Sequence, residues 1–256
     1  MLHKVRGIVF KVTDYGETSV IAQLYTDKFG MQSYIINGVK KPKAKIHRNM
    51  LQPLHLLDMV VYHKNNTSVQ RIAELKCAPV LQSIPYDVIK SSLTLFLNEI
   101  LYKSIKQQTG DENLFNFIFH SVELLDHQAE NVNNFHLVFL TRLSRYLGFF
   151  PDQHKPVGAD YFDMKNGVFT RYKPEKWLYL SPPHTEGFYQ LLKYGFEEQE
   201  KINLKNEDRR YLLNKLLEYY AYHIEGFGQI RSHEVLEDVL APLTNPSPKG
   251  GNSMEK

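Results

Sequence analysis

The periodicity of the apolar residues changes once along the chain, near residue 80, and this change restricts the fold more than any other feature. Before it, apolar and β-branched residues form five short runs, separated by turn residues such as Asp14-Tyr15-Gly16 and Asp27-Lys28-Phe29-Gly30. A repeat of about a dozen residues is typical of a small β-barrel or sandwich. We therefore predict strands over residues 5–12, 18–26, 31–39, 54–62 and 69–75.

Beyond Pro79 and Pro85 the apolar residues recur with the spacing of helices. Asp111 is suited to capping one helix and Asn206 another, and Gly148 is suited to ending a third. The predicted helices cover residues 86–108, 111–126, 133–147, 185–199, 206–224 and 232–240.

Residues 151–183 interrupt the helical pattern, and Asn166-Gly167 lies there between alternating apolar residues, as in a tight β-hairpin. We therefore predict an α+β protein with a five-stranded barrel in residues 1–80. A mainly helical domain in residues 81–241 would follow, with the β-hairpin inserted in it. Residues 242–256 are rich in Pro, Gly, Ser and Asn and have no apolar face, so we expect a disordered tail.

The cysteine content and the apolar runs indicate a cytosolic protein. The single cysteine, Cys77, excludes an intramolecular disulfide and a multi-cysteine metal site, as suits a reducing compartment. The N-terminus has no apolar stretch of signal-peptide length, and no uncharged run approaches the roughly 18 residues of a membrane span.

The charges are unevenly divided between the two predicted domains. Residues 1–80 contain 12 Lys and Arg against 5 Asp and Glu, whereas residues 81–256 contain 19 against 23. A basic N-terminal domain joined to a mildly acidic remainder predicts that the first domain contacts a polyanion.

The most basic segment, residues 38–48, is called the basic loop below. It contains five cations in eleven residues, with no acidic residue between Phe29 and Leu57, so we expect its charges to be unpaired. Because Pro42 blocks a regular helix, we predict an extended loop whose cations follow a phosphate backbone. A solvated loop that only aids solubility is the alternative. The cations are Lys40, Lys41, Lys43, Lys45 and Arg48.

Aromatic residues are interleaved with the basic residues of the first domain. On an oligonucleotide-binding surface they stack on bases, each contributing about 1–3 kcal/mol. At alternating strand positions most aromatic residues instead belong to the core, so we expect no more than two to stack. The candidates are Phe10, Tyr15, Tyr25, Phe29, Tyr34 and Tyr62.

Searches for catalytic motifs find no Walker A loop, Gly-x-Gly-x-x-Gly, Gly-x-Ser-x-Gly or His-Glu-x-x-His. The spacing of His47, His55 and His63 matches no common metal-ligand motif. We therefore predict no catalytic residue, metal or cofactor. Two alternatives stay open: an RNA-binding or translation-associated barrel protein, and a hydrolase or transferase with a site among His47, His55 and Asp58.

Several segments resemble the RecO family of recombination mediators. In the first domain these are Arg6-Gly7-Ile8-Val9-Phe10-Lys11, Asp14-Tyr15-Gly16-Glu17-Thr18 and Gly38-Val39-Lys40-Lys41-Pro42-Lys43. In the second domain, Arg142-Leu143-Ser144-Arg145-Tyr146-Leu147-Gly148-Phe149-Phe150-Pro151 and Tyr219-Tyr220-Ala221-Tyr222-His223 are similar to later family segments.

The resemblance implies an oligonucleotide-binding (OB) fold followed by a helical domain, without nucleotide hydrolysis. It implies a nucleoid-associated protein that binds single- and double-stranded DNA and anneals complementary strands. With RecR, such a protein helps load RecA onto DNA covered by single-stranded DNA-binding protein, whose acidic C-terminal tail it binds. Arg142 and Arg145 are candidates for that tail. The implied DNA-facing residues are Arg6, Lys11, Lys40, Lys41, Lys43, Lys45 and Arg48.

The chain departs from the family pattern at one place. Many relatives have a four-cysteine zinc module after the segment that corresponds to Leu147-Gly148-Phe149, whereas residues 151–183 contain no cysteine. We therefore expect no zinc there, and expect the predicted hairpin to replace the module.

Overall fold

The computed structural model of the protein describes residues 1–129, 132–175 and 177–240. Its N-terminal part is a closed five-stranded barrel with the strand order β1-β2-β3-β5-β4, which confirms the predicted OB fold. All five predicted strands form, with slightly shifted ends. They are β1 (Leu2–Tyr15), β2 (Ser19–Thr26), β3 (Gly30–Ile36), β4 (Leu56–Tyr62) and β5 (Val69–Cys77).

One pair of neighbouring strands in the barrel, β3 and β5, is joined over only a few residues, and this short contact is called the β3–β5 seam below. β1 is long enough to pair antiparallel with β2 along one part and with β4 along another. By contrast, β3 and β5 close the barrel through a parallel pairing that covers only Ser33 to Ile35 against Val69 to Arg71. Since β3 ends at Ile36, the chain leaves the barrel beside this seam and enters the basic loop.

Helices make up most of the remaining chain, as predicted. Among the described residues, none of the helices is both long and apolar enough to cross a membrane. The predicted tail at 242–256 lies outside the described residues. The helices are α1 (Val88–Ser104), α2 (Glu112–His127), α3 (Phe135–Tyr146), α4 (His184–Lys193), α5 (Asn206–His223) and α6 (Ser232–Leu240).

Several predicted helix ends are shifted by up to four residues, as where the helix predicted to end at 108 ends at Ser104, and two further details differ from the structure. The helix predicted over 185–199 ends at Lys193, because the backbone of Tyr194 is already extended, and a short 3₁₀ segment, Phe196–Lys201, follows. Asn206 is not the cap of α5 but its first residue. Lys205 precedes the helix, and its amide donates to the Asp208 carboxylate at 3.2 Å.

The predicted hairpin at Asn166-Gly167 forms, and a third strand that was not predicted joins it. β6 (Tyr161–Asp163) pairs with β7 (Val168–Thr170) across a turn in which Gly167 has a φ of 68°. β8 (Tyr179–Leu180) pairs with the other edge of β6. The result is a small sheet with the order β7-β6-β8.

One side of the barrel packs on the helices in a hydrophobic core that reaches from Ile8 and Phe10 of β1 to Phe162 of the small sheet, and a second hydrophobic cluster lies within the barrel. At the junction two glycines permit close backbone contact. Gly30 has a φ of 61°, and a Cβ there would lie 2.6 Å from the Thr109 carbonyl oxygen. A Cβ on Gly110 would lie 2.6 Å from the carbonyl oxygen of Asp27.

The connection between barrel and helices is held by a half-buried network around Asp126. Its carboxylate accepts from the backbone amides of Gln82, Ser83 and Ile84 at 2.7 to 2.8 Å. Burial by itself raises the pKa of Asp126, but these hydrogen bonds lower it below its ordinary value. The buried Lys90 ammonium donates to the Ser83 hydroxyl at 2.6 Å and to the Asp126 carbonyl at 3.0 Å.

Glu99 of α1 fixes the start of α6. Its carboxylate accepts from the Ser232 amide at 2.9 Å, the Ser232 hydroxyl at 2.6 Å and the Arg231 amide at 3.1 Å. Burial by itself raises the pKa of Glu99, but these bonds and Lys103 lower it to about 2.

We predict that Glu99→Gln loosens α6 and lowers the free energy of unfolding by about 1–2 kcal/mol, as for a lost helix cap. Hydrogen exchange of the 232–240 amides and urea unfolding would measure both effects. Because the folded pKa of Glu99 is depressed, its contribution is present above its ordinary pKa and is lost as pH falls toward about 2. Glu123→Gln is the control. If hydrogen exchange in α6 is as slow in the Glu99 variant as in this control, Glu99 does not fix the start of α6.

Candidate nucleic-acid interface

A groove of about 660 Å³ opens beside the short β3–β5 seam. One wall is the end of β3, the other is the start of β5, and the basic loop forms the rim. The lining residues are Thr18, Ser19, Ile35, Ile36, Asn37, Gly38, Lys41, Lys43, Ala44, Lys45, Ile46, Arg71, Ile72 and Ala73. Cationic and short polar side chains therefore meet at one concave surface, whose lining also includes four isoleucines.

The basic loop is folded into turns, which differs from the predicted extended conformation. Gly38 has a φ of 74° and starts a turn in which the Lys41 amide donates to the Gly38 carbonyl at 3.1 Å. The Ala44 amide donates to the Lys41 carbonyl at 3.1 Å. The buried Val39 and the partly buried Ile46 attach the loop to the barrel core. The loop therefore has a defined path beside the groove.

Asp14, at the end of β1, pairs with two cations of the basic loop, which corrects the prediction that the loop charges are unpaired. Its carboxylate lies 2.5 Å from Arg48 and 3.2 Å from Lys40. The hydrogen bonds from Arg48 and then Lys40 lower the pKa of Asp14. The prediction considered only acidic residues near the loop in the sequence. Asp14 is distant in sequence, but the β1–β2 hairpin brings it close to the loop.

Four cations at the groove have no such partner. Across the part of the chain that the structure describes, Lys41, Lys43, Lys45 and Arg71 form no ion pair, and all four are exposed. Arg71 is the functional candidate that was missing from the predicted set. Only the parallel pairing of Ile35 with Arg71 brings it to the basic loop.

The two predicted DNA-facing residues of β1 lie elsewhere. The Arg6 guanidinium lies 4.9 Å from the ring centre of Phe115, donates to the Asn116 side chain at 2.9 Å, and is 3.5 Å from Asp27. Arg6 is therefore used at the junction between barrel and α2. Lys11 is exposed, with its ammonium 5.2 Å from the ring centre of Tyr102.

Burial divides the aromatic candidates. Phe10, Tyr25 and Tyr34 are buried in the core, and Phe29 is partly buried and stacked on His63 with ring centres 3.8 Å apart. Tyr15 and Tyr62 are 54% and 47% exposed. These two remain candidates for stacking.

Comparisons with known proteins cover both halves of this architecture. The family described as Recombination protein O N terminal matches residues 1–79, and the one described as Recombination protein O C terminal matches residues 85–232. The chain belongs to the RecO family. The DNA repair protein RecO of Bacteroides fragilis strain ATCC 25285 is 36% identical over 94% of this chain and 100% of its own length.

Two other DNA repair proteins named RecO are similarly related. That of Azobacteroides pseudotrichonymphae genomovar. CFP2 is 34% identical over 94% of this chain and 100% of its own length. The RecO protein of Flavobacterium psychrophilum is 34% identical over 93% of this chain and 99% of its own length. Membership of the RecO family assigns the chain a role in DNA repair and recombination.

The two arginines that the RecO resemblance suggests for partner binding differ in environment. Arg142 is half-buried and donates to the Tyr194 carbonyl at 2.8 Å, and burial followed by the nearby Arg145 lowers its pKa. Arg145 is exposed, with its guanidinium 4.1 Å from the ring centre of Phe150. Of the two, Arg145 is available to a partner.

Two residues of the alternative enzyme site, His55 and Asp58, have separate partners in the structure. The His55 ring lies near the Met50 carbonyl at 3.2 Å, and burial lowers the pKa of the imidazole. Asp58 instead pairs with Lys76 at 3.4 Å, and it lines a different pocket from His55. Within residues 1–129, 132–175 and 177–240, no group of three or more His, Cys, Asp or Glu side chains is arranged to hold a metal.

We predict that Asp14→Asn increases the affinity of the barrel for single-stranded DNA at low salt, because it frees Lys40 and Arg48. At about 0.7 per phosphate contact, the slope of log affinity against log salt should steepen by up to about 1.4. Fluorescence anisotropy of a labelled oligonucleotide measures this slope. Asp58→Asn, which removes a pairing partner of Lys76, is the matched control, and an equal effect of both variants would contradict the prediction.

Proposed function

We propose that this RecO family member is a recombination mediator that binds single- and double-stranded DNA at the groove beside the basic loop. The observation that carries the proposal is the meeting of four exposed cations, Lys41, Lys43, Lys45 and Arg71, at one concave surface of an OB barrel. A row of such cations binds phosphates and releases counterions, without reference to base sequence.

This geometry supports strand annealing by charge alone. The groove lining offers cations and short polar side chains such as Ser19 and Asn37, which hold a backbone and leave the bases unstacked. Bases that are not covered by the protein remain free to pair with a second strand. The proposed activity therefore needs no nucleophile, general base or nucleotide hydrolysis, and the protein is proposed to have no catalytic residue.

The helical domain supports a proposed contact with the acidic C-terminal tail of single-stranded DNA-binding protein. Exposed Arg145 lies on Phe150, and neighbouring Tyr146 stacks on Phe117 with ring centres 4.7 Å apart. A cation beside aromatic surface suits an aromatic residue that ends in a carboxylate. We further propose that the protein acts with RecR to load RecA, in the cytoplasm and associated with the nucleoid.

Reversing three charges at the groove tests the DNA-binding proposal. We predict that Lys41→Glu, Lys43→Glu and Lys45→Glu together abolish annealing. For single-strand binding, the slope of log affinity against log salt should become shallower by about 2. Anisotropy and a strand-annealing assay measure these effects, and circular dichroism checks the fold.

The matched control replaces Lys4, Lys28 and Lys76, three exposed lysines that line another pocket of the barrel, by Glu. If both triple variants lose DNA binding and annealing equally, the loss comes from the change in net charge, and the groove is not the binding site. An RNA strand of the same sequence completes the test, since clearly tighter binding of RNA would favour the alternative of an RNA-binding protein.

For the tail, we predict that Arg145→Ala weakens binding of a peptide with the acidic C-terminal sequence by about tenfold, the usual scale for a lost charge-assisted hydrogen bond. Isothermal titration calorimetry measures the affinity. Arg231→Ala, at another exposed arginine of the helical domain, is the control. Unchanged affinity in the Arg145 variant would remove this residue from the proposed site.

A further inference from the structure

The small sheet presents two different faces. Its inner face contributes Phe162, Phe169 and Leu180 to the main core, where all three are buried. On its outer face, Tyr161 and Tyr179 lie on β6 and β8, with ring centres 6.1 Å apart. Aromatic rings therefore occupy the solvent side of a sheet whose other side already supplies the packing.

The segments next to this face add two far more exposed aromatic residues. Trp177 is 72% exposed and lies two residues before Tyr179, with buried Leu178 between them. Tyr172, which follows β7, is 82% exposed. Large aromatic side chains bury 150–250 Å² when they are covered, so leaving several of them in water is costly unless they contact a ligand.

Cations are interleaved with these rings. Residues 171–177 read Arg-Tyr-Lys-Pro-Glu-Lys-Trp, with one acidic residue, Glu175. The Lys173 ammonium lies 5.6 Å from the ring centre of Tyr179, and exposed Arg171 is held by a 2.8 Å hydrogen bond from its Nε to the Val157 carbonyl.

The acidic group on the outer face is turned into the hairpin. The carboxylate of Asp163 accepts from the amides of Lys165 and Asn166 at 2.9 and 3.1 Å and from the Asn166 side chain at 2.7 Å. The negative charge is therefore partly satisfied by turn donors, and the exposed rings are flanked mainly by cations.

We propose that this surface is a second site for single-stranded nucleic acid, at which bases stack on the rings and phosphates lie against the cations. We call it the aromatic platform, and its residues are Tyr161, Arg171, Tyr172, Lys173, Trp177 and Tyr179. Rings and cations that alternate along a surface form the arrangement that binds single strands without sequence preference. Aromatic side chains on the open face of a sheet serve the same purpose in RNA-binding domains.

The platform deepens the proposed function, on which it rests, by giving the second strand a place. The groove holds one strand by its phosphates, whereas the platform holds bases by their faces and leaves their pairing edges free. Two complementary strands on one protein can then meet at high effective concentration. An aromatic protein partner would also use Trp and Tyr, but the flanking Arg171 and Lys173 favour a polyanion.

Trp177 is the single tryptophan of the chain, so intrinsic fluorescence reports on the platform directly. We predict that an oligothymidylate quenches this emission, and that the quenching persists at low salt in the variant with three Lys→Glu changes at the groove. In that background, Trp177→Ala should weaken oligonucleotide binding, measured by anisotropy, by about tenfold, as expected for one lost stacked base. Tyr86→Ala removes another ring that is highly exposed and serves as the control.

Each other outcome overturns the platform in a distinguishable way. If labelled oligonucleotide binds while Trp177 emission stays constant, the platform is wrong and the groove stands. If no oligonucleotide binds at low salt, the proposed function fails and the platform fails with it. If the emission responds to an acidic peptide with an aromatic C-terminus but not to oligothymidylate, the surface is a protein-binding site and the proposal is wrong.

Discussion

The close backbone contact between the barrel and the first two helices is the constraint on which the rest of the structure depends. Gly30 and Gly110 leave no room for a Cβ, and the Met31 amide donates across the same junction to the Gln107 carbonyl at 2.9 Å. Because close-packed interiors transmit strain rather than absorb it, this contact makes the barrel and helices parts of one body. This contact therefore connects the barrel, which contains the groove, to the helical domain, which contains the aromatic platform.

Some of the positive charges of the basic loop are neutralised by a nearby carboxylate, and the others are not. Asp14 pairs with Lys40 and Arg48 toward the two ends of the basic loop, and the three central lysines form no ion pair with any residue that the structure describes. Exposed ion pairs of this kind contribute little to stability, since solvent screens them. Their consequence is geometric: the ends of the loop stay near β1 while its middle faces the groove. The arrangement therefore separates cations that position the loop from cations that remain available to phosphate.

The sequence predicts the fold well where the signal is local. Alternating apolar residues and turn chemistry locate all five barrel strands, and Asp111 accepts from the Leu114 amide at 3.0 Å, as a cap should. The site depends on contacts between distant residues, so it is less predictable. Arg71 joins the loop through a parallel pairing, Asp14 reaches it across a hairpin, and Arg6 is engaged by Asn116 on α2. Residue type identified these side chains as charged, but only the topology separates those that stay exposed at the groove from those used in packing.

We propose that the small sheet stands where many RecO family members are expected to have a zinc module, and that apolar burial stabilises it instead of a metal. A zinc module obtains much of its folding free energy from metal binding, since its few residues cannot form a core. In this chain, Phe162 contacts Phe169 and Phe188 with ring centres 4.9 and 4.7 Å apart, and the segment thereby joins the main core. A sheet that is stabilised from one face can vary its other face at little cost. Tyr161 and Tyr179 of the platform occupy that second face, and its exposed cations and its two most exposed rings lie in the segments beside it, outside the core.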